Sequence, residues 1–460
     1  MHLRKSLWIV LVIIVVTISV MEIGVPATVT VAGVISGVLL LKAEKIRLWK
    51  WWQYILLAAV IGSGVYYTGA IARHIITNIA EPPLWDVQAL WLYGRVAANG
   101  QNFHSPDMFH LVAEHYQMTE NNDFKVEILD RGSQYPPPSI WVFLPLGWFE
   151  LHTGIVIWYV IQIAATGLVL WLLLKDYFFL SETQAGWVVG LVVLVLIVGM
   201  HPLRVNFGRG QTMIMWLVCF MLFNAKRTQF WGGFWLALCI LIKLPALILI
   251  PYLILRRQWK ALAGTTVTLA GVTVITAVAF GIEPFMSYIF QNPNVDVPSY
   301  LFTEGVKQSL LSTVLRVTEA DTTHGVSLLY PYFLIAALPI SAITGGILLL
   351  KRRFADEYAV LVCMMFAMMI YPVTLDLYSL VLLLPIGLLW RDRTFFPGQV
   401  WGLVALLGAI YVLAWIQPFV ANLLMWFVLL IQGFAAGKTR PEVQVNSPQA
   451  ELLAAEMAAH

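Results

Sequence analysis

Few residues in this chain could do chemistry, and they lie far apart along it. Asp86 sits in "PPLWDVQALWLYGR" (82–95), and Lys243 in "IKLPAL" (242–247). His201, Arg204, Arg209 and Gln211 fall in "HPLRVNFGRGQT" (201–212), and Asp376 in "YPVTLDLYSLVLLLP" (371–385). A carboxylate can take a proton from a hydroxyl, and ammonium or guanidinium groups can hold a phosphate. Asp86 follows Pro82-Pro83, which suits the opening of a helix and puts the acid in or near its first turn. Its charge there complements the helix N-terminus; the same field would keep it ionised, as a general base requires. Both readings stand on the residues alone.

The elements that must position these groups are apolar helices. The chain is 60% hydrophobic and 12% charged, with mean hydropathy +0.79, outside the range of soluble domains. Apolar runs of about 15–25 residues recur from end to end, each close to the roughly 20 needed to cross a bilayer. The runs are continuous and lack two-residue alternation, so strands do not compete. The expected fold is an all-α polytopic membrane protein. Its candidate spans are 7–21, 27–41, 51–69, 153–174, 185–200, 211–225, 261–281, 328–350, 357–371, 375–390, 399–416 and 418–435. Residues 1–436 read as one domain and 437–460 as a disordered cytoplasmic tail. The first run follows Arg4 and Lys5 without a convincing cleavage site, so it reads as a retained helix. Cys219, Cys239 and Cys363 lie within apolar runs and read as packing residues. The net charge of +3 says little about partners, and no nucleic acid is expected among them.

Charge sets the topology. Lys42, Lys45, Arg47 and Lys50 form one basic cluster, and others lie at Lys226-Arg227, Arg256-Arg257, Lys351 to Arg353, Arg391 with Arg393, and Lys438 with Arg440. By the positive-inside bias all face the cytoplasm, with both termini. The other two large connections, 70–152 and 282–327, are acidic: residues 81–135 carry eight acids against three basic residues. They are expected to be extracytoplasmic, Asp86 with them. Residues 228–255 break the count, because Arg227 and Arg256 flank them. A re-entrant hairpin turning near "IKLPAL" restores parity and puts Lys243 at its tip; one long tilted helix with Lys243 snorkelling is the alternative. Each arm of such a hairpin would rise about 18 Å.

The remaining candidates map to the extracytoplasmic side. Two arginines at 204 and 209 run against the charge bias there, which suits an anion site or pairing with loop acids and lipid headgroups. "SQYPPPSIW" (133–141) makes a rigid turn around Tyr135, and 138–149 reads as a helix against the outer interface. "EGVKQSLLSTVLR" (304–316) offers Gln308, with Arg316 two turns along a helix. Asp376 and Lys243 are ionisable groups within or beside spans, functional candidates by default. Carboxylates and cations together suit group transfer from a phosphorylated lipid, with electrostatic stabilisation of the leaving phosphate. The sequence has no D-x-D, Walker loop, G-x-S-x-G or His-rich metal spacing, so neither metal nor cofactor is expected.

These landmarks resemble the membrane-embedded GT-C glycosyltransferases, and most closely glycosyltransferase family 87, whose members use polyprenyl-phosphate mannose. Asp86 with "YGRVAANGQNFHSPD" (93–107), "YPPP" (135–138), "GQTMIMWL" (210–217), "KLPALILIPYLILRRQWKAL" (243–262) and "KQSLLSTVLR" (307–316) follow the family's order. The resemblance implies a GT-C-like bundle of about 12 transmembrane helices. It implies an inverting plasma-membrane mannosyltransferase with Asp86 as general base and Lys243 at the lipid phosphate. Donor and acceptor would be a polyprenyl-phosphate sugar and a lipid or glycan. Leu377 and Tyr378 stand where the family pattern carries histidine, which leaves the acceptor class open. A flippase for a lipid-linked sugar is the second reading, and a noncatalytic scaffold in a cell-envelope assembly the third.

Overall fold

The computed structural model describes residues 51–81, 87–105, 135–178, 186–290, 308–318, 330–350, 353–372, 374–392, 406, 408–410, 413–414 and 416–439. Asp86, the expected spans 7–21 and 27–41, most of 399–416 and the tail beyond 439 lie outside the described residues.

The described chain is helical, with no β-strand among those residues. Helix α1 (Trp51–Ala80), α2 (Ala89–Ala98) and α3 (Ile140–Gly147) come first. A long α4 (Leu151–Leu173) follows, then α5 (Gly186–Gly199), α6 (His201–Arg209) and α7 (Met213–Ala225). The middle holds α8 (Phe230–Ile242), α9 (Leu249–Leu255), α10 (Trp259–Phe280) and α11 (Glu283–Phe290). The last part holds α12 (Leu310–Val317), α13 (Pro331–Leu349), α14 (Asp356–Ile370), α15 (Leu383–Arg391) and α16 (Pro418–Thr439). Helices satisfy their own backbone groups, which hydrocarbon cannot do for them. Among the described residues, four stretches are long and apolar enough to cross a membrane: Leu151–Phe178, Trp259–Phe280, Pro331–Leu349 and Pro418–Gly437. Gly190–Gly199 with His201–Arg209 would make a fifth, bent by 59°.

Helix α16 runs to Thr439, past the expected span end at 435 and the expected start of the tail at 437, and two other boundaries differ more from those read in the sequence. Helix α1 runs on to Ala80, past the expected end of its span at 69. Tyr67, Ile71 and Asn78 are buried on one face there, and the Asn78 amide donates to the Phe207 and Gly208 carbonyls of α6. Tertiary packing thus carries the helix beyond its apolar run. The expected span 375–390 opens instead as a tight 3₁₀ segment, Asp376–Leu382, before α15 begins. The core lies around α14, whose residues Tyr358 to Met369 are all buried.

Residues 228–255 fold back on themselves. Pro245 removes a backbone donor and disfavours helical geometry at the residue before it. Helix α8 accordingly stops at Ile242, Lys243 is extended (φ −153°, ψ 127°), and a 3₁₀ turn over Leu244–Ile248 leads into α9. The return brings the starts of α8 and α10 together. A Cβ on Gly233 would lie 1.9 Å from the Ala261 carbonyl oxygen, and one on Gly264 would lie 2.1 Å from that of Phe230. Only glycine permits this crossing. The Thr265 hydroxyl seals it by donating to the carbonyls of Gly233 and Ala261. Arg227 and Arg256 consequently meet one carboxylate, Asp356, at 2.8 Å and 4.0 Å. Arg391, Glu357 and Asp392 extend this ionic cluster, and Tyr252 donates to Asp356 at 3.0 Å.

The segment 138–149 forms α3, which crosses α2 at close range. A Cβ on Gly147 would lie 2.1 Å from the Gly94 backbone, and Arg95 donates to the Gly147 carbonyl. Trp141 and Trp148 remain exposed. Beyond α2, Asn102 donates to Ser287 and Phe103 packs edge-on against Phe280. The two connections read as large loops therefore touch.

Candidate active site

Lys243 is the centre of the site. Its side chain is buried, with the residue 9% exposed. The ammonium donates to the Tyr378 hydroxyl at 3.1 Å and to Gln211 Oε1 at 3.4 Å. It lies 4.6 Å from the Tyr378 ring centre and 5.9 Å from that of Tyr135, so two phenol faces add cation–π attraction. Among the described residues no carboxylate pairs with it. A buried cation held by neutral groups alone is costly, and an anion would relieve that cost. The proline turn holds the lysine in place: the Ser139 hydroxyl donates to the Leu241 carbonyl, in the last turn of α8. Burial pushes the Tyr135 phenol up to about 12 against the opposing pull of Lys243, so it is neutral at physiological pH.

Gln211 is set by a second network. Gly210 ends α6 at φ +66°, a conformation that favours glycine, and a Cβ there would lie 2.6 Å from the Val87 side chain. The Trp158 indole donates to the Gly210 carbonyl at 2.7 Å. Asn206 is wholly buried. It accepts from the Met213 backbone, donates to Gln162 at 2.6 Å and offers its carbonyl to the Gln211 backbone at 2.9 Å. The turn carrying Gln211 is thereby fixed from three sides. Val87, the residue bonded to Asp86, is buried against this same glycine.

A second group of candidates gathers on the neighbouring face. His201 Nε2 lies 3.7 Å from Asp376 Oδ2, and Arg204 Nη2 lies 3.3 Å from His201 Nδ1. The Arg204 guanidinium also sits 5.2 Å from the Tyr67 ring centre. Asp376 opens the 3₁₀ segment that carries Tyr378, so the two groups share an element. Two other candidates have contacts of their own. Arg316 donates to Thr313 within its own helix. Gln308 is buried as packing glue: its backbone donates to the Thr374 carbonyl, and its Oε1 accepts from the Phe419 backbone at 3.4 Å. Arg209 closes α6 and makes no hydrogen bond or ion pair among the described residues.

Sequence reasoning did not list Tyr378 as a site residue, although it marked the position as departing from a histidine pattern. Asn206, Gln162 and Trp158 were also missed. Their role depends on contacts across more than forty residues of chain, which spacing does not reveal.

The family model of Glycosyltransferase family 87 matches residues 134–372, just over half of the 460-residue chain. The chain belongs to glycosyltransferase family 87. It is therefore a membrane glycosyltransferase that uses a sugar donor and an acceptor. No curated protein and no solved structure matches it. The family 87 match takes in Tyr135, the 201–212 turn and Lys243, and it ends before Asp376 and Tyr378. The part of the site that departs from the expected histidine pattern thus lies just beyond the matched region.

Proposed function

We propose that this glycosyltransferase moves a sugar, mannose by the family resemblance, from a polyprenyl monophosphate to a lipid or glycan acceptor. The observation that carries the reading is Lys243, buried at a fold-back with only neutral partners among the described residues. An ammonium in that setting suits one phosphate at the head of an apolar chain. The acceptor hydroxyl oxygen attacks the anomeric carbon while the bond from that carbon to the phosphate oxygen breaks. Asp86 takes the hydroxyl proton, and the bonding pair leaves with the polyprenyl phosphate. A single displacement inverts the anomeric carbon. His201 links Arg204 to Asp376, which opens the segment carrying Tyr378.

The sidedness follows from the charges. Arg227, Arg256 and Arg391 gather at one end of the bundle, and the bias toward basic cytoplasmic ends puts them inside. Lys243 lies one α8 length away, about 20 Å for 13 residues. In this reading the transfer site faces the extracytoplasmic side, in the plasma membrane by the family resemblance.

Cationic side chains at the site take the place a divalent ion would fill, so transfer is expected to survive excess EDTA. The experiment incubates purified protein with radiolabelled polyprenyl-phosphate mannose and a membrane lipid extract, with and without chelator. A new labelled glycolipid in both samples supports the reading. Activity lost with EDTA and restored by Mn²⁺ or Mg²⁺ would overturn the assignment of the phosphate to Lys243. Donor translocation in vesicles without any product would make the protein a flippase.

A further inference from the structure

We infer that Tyr378 is a second phosphate donor, acting beside Lys243 on the leaving group. The inference rests on the lipid-phosphate reading above and assigns a new residue to it. The donor count carries the argument. An ammonium has three N–H donors and a phenol has one. Lys243 directs one proton to the Tyr378 oxygen and a second to Gln211. One ammonium proton therefore remains. The Tyr378 oxygen is occupied as an acceptor, yet its own O–H has no acceptor among the described residues, although the residue is only 6% exposed. Buried phenol hydroxyls normally find an acceptor. The two unused protons belong to groups whose heavy atoms are 3.1 Å apart, so one bound phosphate can accept both.

The chemistry uses this pair late in the reaction. As the bond between the anomeric carbon and the phosphate oxygen breaks, that oxygen takes the electron pair and the phosphate gains negative charge. Donors already in position strengthen as the charge develops, which is the arrangement that lowers a transition state. Tyr378 lies two residues after Asp376 on the 3₁₀ segment, and Asp376 in turn faces His201.

Tyr378→Phe keeps the ring beneath Lys243 and removes only the hydroxyl. The test measures binding of polyprenyl monophosphate, and of uncharged polyprenol, to the full-length protein in detergent micelles. Hydrogen bonds to charged groups predict a loss of about 10- to 100-fold in polyprenyl monophosphate affinity and in kcat/KM, with polyprenol binding unchanged. Tyr378→His should restore part of the loss. Replacing Tyr378 by 3-fluorotyrosine, a more acidic phenol of nearly the same shape, should tighten polyprenyl monophosphate binding. Equal phosphate affinity in Tyr378→Phe, or no change with fluorotyrosine, would overturn the inference and leave the Lys243 site standing. A wild-type protein that binds polyprenol and polyprenyl monophosphate alike would overturn both.

Discussion

Asp86→Asn is expected to lower turnover by about 10²–10⁴-fold, the usual worth of general-base help. The substitution keeps the shape of the side chain and removes its ability to take a proton, so polyprenyl-phosphate sugar should bind the variant nearly as it binds the parent. Asp86 itself lies outside the described residues. Val87, next in the chain, is buried against Gly210, and Gly210 precedes the glutamine that touches Lys243. The chain beside Asp86 is thus tied to the turn that carries Gln211. Steady-state kinetics with saturating donor check the claim. Turnover equal to that of the parent protein would remove Asp86 from the mechanism and turn attention to the His201–Asp376 pair.

Lys243→Met is the second large effect, and it separates function from stability. Methionine fills a similar volume without charge, so polyprenyl monophosphate affinity should fall by about 10- to 150-fold, the worth of one charge-assisted hydrogen bond. Folding stability should hold or rise, because the substitution removes a buried cation that no described carboxylate compensates. Lys243→Arg should not rescue binding fully. A planar guanidinium cannot take the place of a compact ammonium between two phenol faces and an amide. A methionine variant that melts much earlier yet binds as before would mark Lys243 as structural.

The fold-back was legible because charge parity is a one-dimensional signal. Arg227 and Arg256 flank a run too long to leave unexplained, and in the structure both reach Asp356. Within the "IKLPAL" stretch where parity puts the turn, Pro245 follows the break in the helix after Ile242. The extent of α1 was not legible. Its last eleven residues are held by Asn78 against α6, a partner 129 residues away. Tyr378 was visible only as the absence of an expected histidine, and its contact with Lys243 spans 135 residues. Gln308 was drawn toward the site by its polarity and its neighbours. The structure uses it, with the capping serines Ser309 and Ser312, to fasten α12 to adjoining chain. A polar residue at a helix start serves the helix first.

The most direct test of where the lipid phosphate sits is photolabelling. A polyprenyl phosphate carrying a diazirine on the isoprene unit next to the phosphate is irradiated with the full-length protein, and the adducts are mapped by mass spectrometry. Adducts are expected in the 210–213 turn, in 243–248 and in 374–382, and excess unlabelled polyprenyl phosphate should suppress them. Adducts confined to the arginine end, at 224–227, 353–357 and 391, would contradict the account and move the site to the opposite face of the bundle.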